Sequence, residues 1–263
     1  MRYKLLLSVI LYLILTACEN EQDIYDEITS DLILSVAETY PNNEITRPTL
    51  TLKIETEELY PCINYQIVTQ KSVTSDELKI QILGTEIGDL CLTAIGPATT
   101  TFELDEGIRK IVLFNNIMEG EHLISISESS VTIDNSISSF SSFTYSSYHR
   151  YPENSFAFLC GTLEEDSIVC KEFEQILLNN LSLEEFSFPS IGKKPYPDNS
   201  SGYWFNAPAK YYEYKNADDL TKAGELLNTY YSSELSNKEG LGLSIIGWNN
   251  TYFRNDQRLD DSN

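Results

Sequence analysis

Residues 50–55 read Leu-Thr-Leu-Lys-Ile-Glu: Leu50, Leu52 and Ile54 fall on one side of an extended chain, and Thr51, Lys53 and Glu55 on the other. A period of two is the mark of a strand that buries one face. The same rule extends outward from this stretch. Ile63, Tyr65 and Ile67 alternate with Asn64 and Gln66, and Leu78, Ile80 and Ile82 with Lys79 and Gln81. Phe102 and Leu104 follow it, as do His122, Ile124 and Ile126 against Leu123, Ser125 and Ser127, less cleanly. Breakers separate the runs: Pro41-Asn42-Asn43, Pro48, Gly84, Gly88, Gly96-Pro97, Gly107 and Gly120. Half-buried strands need an opposing apolar layer, so residues 31–135 are expected to form a β-sandwich of seven or eight strands.

This half resembles the immunoglobulin-like modules that lipoproteins use as spacers and binding domains. No Trp lies between Cys62 and Cys91, so the antibody-type signature is absent. Residues 136–153, rich in Ser and aromatics, read as a linker or a last edge strand.

Residues 154–253 change character. Ser155–Cys160 (SFAFLC) reads as an apolar strand. Thr162 with Glu165 three residues on suggests a capping box. Val169, Phe173, Ile176, Leu177 and Leu181 then recur at helical spacing. Leu183–Ile191 reads as a strand, 193–202 as a loop, and Tyr203–Tyr214 as a strand broken at Pro208. Asn216 is placed to cap a helix whose inner face is Leu220, Ala223, Leu226, Leu227, Tyr230 and Tyr231. Leu241–Ile246 begins the last strand, and 254–263 is expected to be a disordered charged tail. The order βαββαβ predicts a ferredoxin-like α+β domain, giving a two-domain α+β chain.

The start of the chain carries an address. Arg2 and Lys4 precede an apolar run, Leu5–Leu15, and then Thr16-Ala17-Cys18. Basic residues, a short apolar core and small residues at the exit are the parts of a secretory signal. The run is too short to span a membrane, which takes about 20 residues. Leu15-Thr16-Ala17-Cys18 resembles the bacterial lipobox. The resemblance implies that residues 1–17 are removed and that Cys18 carries acyl chains holding the protein to a membrane. Residues 18–30 read as a solvated tether: five of residues 19–27 are acidic and none is basic. An acidic stretch after the cysteine is similar to the export signal of Bacteroidetes surface lipoproteins, which implies an outer-membrane protein facing the cell exterior.

Without Arg2 and Lys4 the chain keeps 16 of its 18 basic residues against 40 acidic ones, a net charge of −24. That field repels nucleic acid backbones and anionic lipid alike. Four cysteines remain besides Cys18. Pairs Cys62–Cys91 and Cys160–Cys170 each fall inside one expected domain, as disulfides of an exported protein would; buried free thiols are the other reading. Cys62 and Cys91 lie out of phase with the apolar residues of their strands, so a bridge there is expected outside the core.

Catalytic patterns are thin. The chain has two histidines, His122 and His149. His122 sits mid-strand, and no local motif supports a Cys160–His149 dyad. Residues 198–202 (DNSSG) lack the spacing of a calcium loop, and acid clusters such as Glu164-Glu165-Asp166 and Glu184-Glu185 read as solvated faces. No cofactor or metal is expected. The aromatic residues Tyr203, Trp204, Phe205, Tyr212, Trp248 and Tyr252 are the candidate binding surface, since flat rings on a sheet face stack on sugars or anchor protein contacts. Packing of the core or of the interdomain contact is the competing use of these rings. The expectation is a non-catalytic, anchored binding or scaffold module. Its rivals are a glycan-binding accessory lipoprotein of an uptake system and a hydrolase with an unrecognised site.

Overall fold

The computed structural model describes residues 25–88, 90–163, 168–200 and 202–256. The expected signal, Cys18 and most of the acidic tether lie outside the described residues, as does most of the expected tail.

Ten strands build the first half: β1 (Leu32–Thr39), β2 (Thr49–Tyr60), β3 (Tyr65–Val73), β4 (Glu77–Ile87), β5 (Gly96–Glu103), β6 (Lys110–Phe114), β7 (Glu119–Ile126), β8 (Ser130–Ile137), β9 (Ser141–Phe143) and β10 (Ser147–His149). They form one continuous sheet in the order β10-β8-β7-β6-β4-β3-β5-β2-β1-β9. Three of its nine pairings are parallel: β1 with β9, β3 with β5, and β4 with β6. The sheet curls so that one face closes on itself. Leu34, Leu52, Ile54, Ile80, Ile111 and Leu113 are completely buried there. Alternation along Leu50–Glu55 places Leu52 and Ile54 in that core, whereas Ile63 lies before β3 and is exposed.

The second half contains β11 (Ser155–Thr162), α1 (Ile168–Asn180), β12 (Leu183–Phe186), β13 (Phe205–Asn206), β14 (Lys210–Tyr214), α2 (Asp219–Tyr230), β15 (Leu241–Gly247) and β16 (Tyr252–Asp256). Its sheet runs β12-β14-β11-β15-β16 with β13 added beside β11, all neighbours antiparallel. Every residue of β11 is buried. Phe156, Phe158 and Cys160 face the helices. Ala157 and Leu159 face a second aromatic layer formed with Tyr151, Phe186, Phe188, Tyr196 and Tyr211. A strand covered on both faces reads as a continuous apolar run, which is why SFAFLC shows no alternation.

These observations correct the expected α+β plan. Among the described residues strands hold 47% and helical segments 15%, with a curled ten-stranded mixed sheet and two α-helices. In place of an immunoglobulin-like sandwich of two sheets, parallel pairings stitch the strands into one sheet. In place of a ferredoxin-like unit of four strands with one open face, there are six strands, and the segment after β12 covers the second face. Leu183–Ile191 is strand only to Phe186, because Phe186 and Phe188 turn into that aromatic layer. Asn216 does not cap α2: its backbone N–H and its side-chain amide donate to Asp219 Oδ2, at 3.3 and 2.9 Å. Leu241–Ile246 is not the last strand; β16 follows it, so residues 254–256 are sheet rather than tail. The capping box at Glu165 lies outside the described residues.

The halves meet at one pole of the first sheet. Tyr40 donates its hydroxyl to the Trp248 carbonyl at 2.7 Å, Thr46 N–H to the Asn249 carbonyl at 3.2 Å, and Asn250 Nδ2 to the Asn43 carbonyl at 3.0 Å.

Candidate functional site

Tyr203 fixes in place Trp204, the most exposed aromatic among the described residues. Its ring lies across Gly161 and Gly242, paired partners on β11 and β15, where a Cβ on either glycine would overlap the tyrosine. Its hydroxyl donates to the Leu241 carbonyl at 3.2 Å. Asn206 ties the same loop from the other side: its amide donates to the Tyr203 carbonyl at 3.2 Å and accepts from Ser200 N–H at 3.0 Å. With Tyr203 and Asn206 anchored, Trp204 projects to 82% exposure and Phe205 to 43%.

These two rings form one wall of a groove of about 730 Å³. The Cys160–Cys170 disulfide, S–S 2.05 Å, which joins β11 to α1, also lines it. Lys171 and Glu174 of α1 and Lys210 of β14 line the groove as well. Lys210 Nζ pairs with Glu185 Oε1 at 2.7 Å and Glu174 Oε1 at 3.5 Å. The Glu185 partner holds the Lys210 ammonium above its ordinary pKa. The groove therefore offers two aromatic faces beside fixed, charged hydrogen-bonding groups.

The candidate aromatics do not form one platform. Tyr212 is completely buried beneath α1, donating to Glu174 Oε1 at 2.8 Å, and burial pushes its phenol pKa up. Trp248 is half-buried at the junction of the halves, its indole N–H donating to the Tyr214 hydroxyl at 3.0 Å. Tyr252 stands exposed on the edge strand β16, in a separate depression with Arg254 and Pro197. Only Tyr203, Trp204 and Phe205 act together.

The junction holds a second cavity, about 590 Å³, that includes Trp248 and a charged cluster with no local sequence motif. Arg150 donates to Glu38 Oε1, Glu106 Oε1 and the Ser127 carbonyl, each at 2.9 Å. Glu38 Oε2 accepts the Tyr151 N–H at 2.6 Å. Arg47 pairs with Glu153 across the same seam.

The histidines are held by neighbours. His122 is completely buried, with Nδ1 2.8 Å from Ser136 Oγ and Nε2 2.9 Å from Ser141 Oγ. Burial holds its pKa below the ordinary value. His149 Nε2 lies 2.9 Å from the Ile191 carbonyl. The Cys160–His149 dyad is not assembled, since a disulfide sulfur has no thiolate to offer. Cys62 and Cys91 are also bonded, S–S 1.94 Å; Cys62 is buried, Cys91 is exposed, and neither belongs to the packed core cluster of the first half. Among the described residues no group of three or more His, Cys, Asp or Glu is placed to hold a metal ion, and no helix is long and apolar enough to cross a membrane. Comparison with protein-family models, with curated proteins and with solved structures found no match.

Proposed function

We propose that this protein is a lipid-anchored envelope module, held to the outer membrane at Cys18, that binds its target through the Trp204–Phe205 groove without catalysis. The observation that carries the reading is Trp204. An indole at 82% exposure, on a loop whose neighbours are fixed by packing and hydrogen bonds, is costly in water unless it meets a ligand. Large aromatics in such positions dominate binding energy. Polarity along the chain supports presentation outward. The first described residues run along the end of β4, while the groove belongs to the half packed at the opposite pole of the first sheet.

The groove's chemistry favours a glycan among possible targets. Trp204 and Phe205 supply faces for sugar rings, and Lys171, Glu174 and Lys210, which line the same groove, supply charged hydrogen-bonding groups. The test is capture of oligosaccharides and of envelope proteins by wild type and by Trp204→Ala. Loss of a hot-spot aromatic costs about 2 kcal/mol or more, roughly thirtyfold in affinity. Capture that survives Trp204→Ala unchanged sinks the assignment of the site. Turnover of a captured substrate would replace binding by hydrolysis.

A further inference from the structure

The pole of the first sheet away from the groove carries an unusual surface. The β2–β3 turn and the β4–β5 loop meet there, and Leu59, Ile63, Ile87, Leu90, Leu92 and Ile95 are all 40–74% exposed. Residues 59–65 and 87–97 contain no basic residue and one acid, Asp89, in a chain with 58 charged residues. The tip is built rather than loose. The Cys62–Cys91 disulfide joins the turn to the loop. Ile63 N–H donates to the Leu92 carbonyl at 3.2 Å, Asn64 Nδ2 to the Leu90 carbonyl at 2.7 Å, and Leu92 N–H to Asn64 Oδ1 at 3.1 Å. These bonds tie the turn to the loop, while the aliphatic side chains of both stay exposed to solvent.

We infer that this tip inserts into the surface of the membrane that carries the anchor, acting as a second, protein-made contact beside the acyl chains. The inference rests on the proposed anchor at Cys18. The occupant follows from where the described chain starts. Asp26 N–H donates to the Thr85 carbonyl at 3.1 Å and Thr85 N–H to the Asp26 carbonyl at 2.8 Å. That bridge is antiparallel, so the step from Asp26 back to Tyr25 runs toward Ile87 and the tip. Tyr25 is seven residues from Cys18, a separation of at most about 25 Å for any conformation. A lipidated Cys18 therefore puts the bilayer within reach of the tip. The second half sits away from it, at the far end of β2, which at about 3.3 Å per residue is some 35–40 Å long. Exposed Glu57, Glu58 and Glu86 stand behind the tip, which limits its depth and favours neutral over anionic headgroups.

The test is flotation of the mature chain with Cys18→Ser, which removes acylation as a source of binding, on dioleoylphosphatidylcholine vesicles. The unsubstituted tip is expected to float. The triple change Leu90→Ser, Leu92→Ser and Ile95→Ser is expected to lower partition at least tenfold, since even one aliphatic side chain fully leaving water is worth about that factor or more. In the chain with its tip intact, amide exchange across residues 90–95 should slow at least tenfold on adding vesicles, a readout independent of how the triple variant folds. Absence of flotation, equal flotation of the triple variant, or unchanged exchange overturns the inference. So does a concentration-dependent dimer that the triple change abolishes, because the tip would then face a second copy. Failure of the anchor is read separately: an N-terminal peptide from cells with an unmodified Cys18 removes the lipid but leaves the flotation result standing.

Discussion

Replacing Arg150 with Met should loosen the junction between the two halves at a cost that its contacts allow to be worked out. The guanidinium is 11% exposed and the Glu38 side chain 4%. Removing one partner of such a buried pair costs about 3–5 kcal/mol, because the other charge stays buried without its counterion. Glu106 is 69% exposed and adds only about 0–1 kcal/mol. The Tyr151 N–H remains on Glu38 Oε2, which keeps the total near the lower bound, about 3 kcal/mol. At a urea m-value of about 2–3 kcal/mol/M, the unfolding midpoint should fall by about 1–1.5 M. Since Arg150 and Tyr151 join the halves, near-ultraviolet circular dichroism and tryptophan fluorescence should also cease to report one coincident transition. The double change Arg150→Met with Glu38→Leu should recover half of the loss or more, as removing both charges leaves none stranded. A midpoint shift under about 0.3 M, or a double variant as unstable as both losses added, refutes the reasoning.

Acid should weaken the first sheet through His122. Its folded pKa lies below the ordinary 6.5, so the unfolded chain binds the proton first. Stability is then complete above about pH 6.5 and declines as pH falls toward the folded pKa, by at most about 1.4 kcal/mol per pH unit. His122→Asn should flatten that slope between pH 6.5 and 5 in urea titrations; an unchanged slope assigns it to other groups. Gly242→Ala should displace the Tyr203 ring, costing about 1–3 kcal/mol in stability and weakening whatever the Trp204 groove captures. Unaltered binding with unaltered stability would show that Tyr203 does not seat the loop.

Local pattern carried the strands whose partners are adjacent. Leu52 and Ile54 alternate because one face of β2 is buried, and that is visible within six residues. Parallel pairings such as β4 with β6 leave no trace in alternation, since period two is the same whichever neighbour a strand takes. This is why a sandwich of two sheets was expected where one sheet curls. Strand β16 was hidden because Trp248 to Phe253 contains a turn, with Asn250 at φ +68°, inside what reads as one aromatic run. At the site, composition marks Trp204 and Phe205, neighbours in sequence, but does not separate them from Trp248, which the junction absorbs. Arg150 and Glu38 are 112 residues apart and share no motif. Asn206 had no signal at all, as its role depends on where the chain turns back after β13.

Protease shaving of intact cells, with a lysed control and blotting for this protein, tests the account most directly. An anchored module presenting the Trp204 groove outward is predicted to be digested on intact cells. Protection until lysis would contradict outward presentation and move the search for a target to the periplasm.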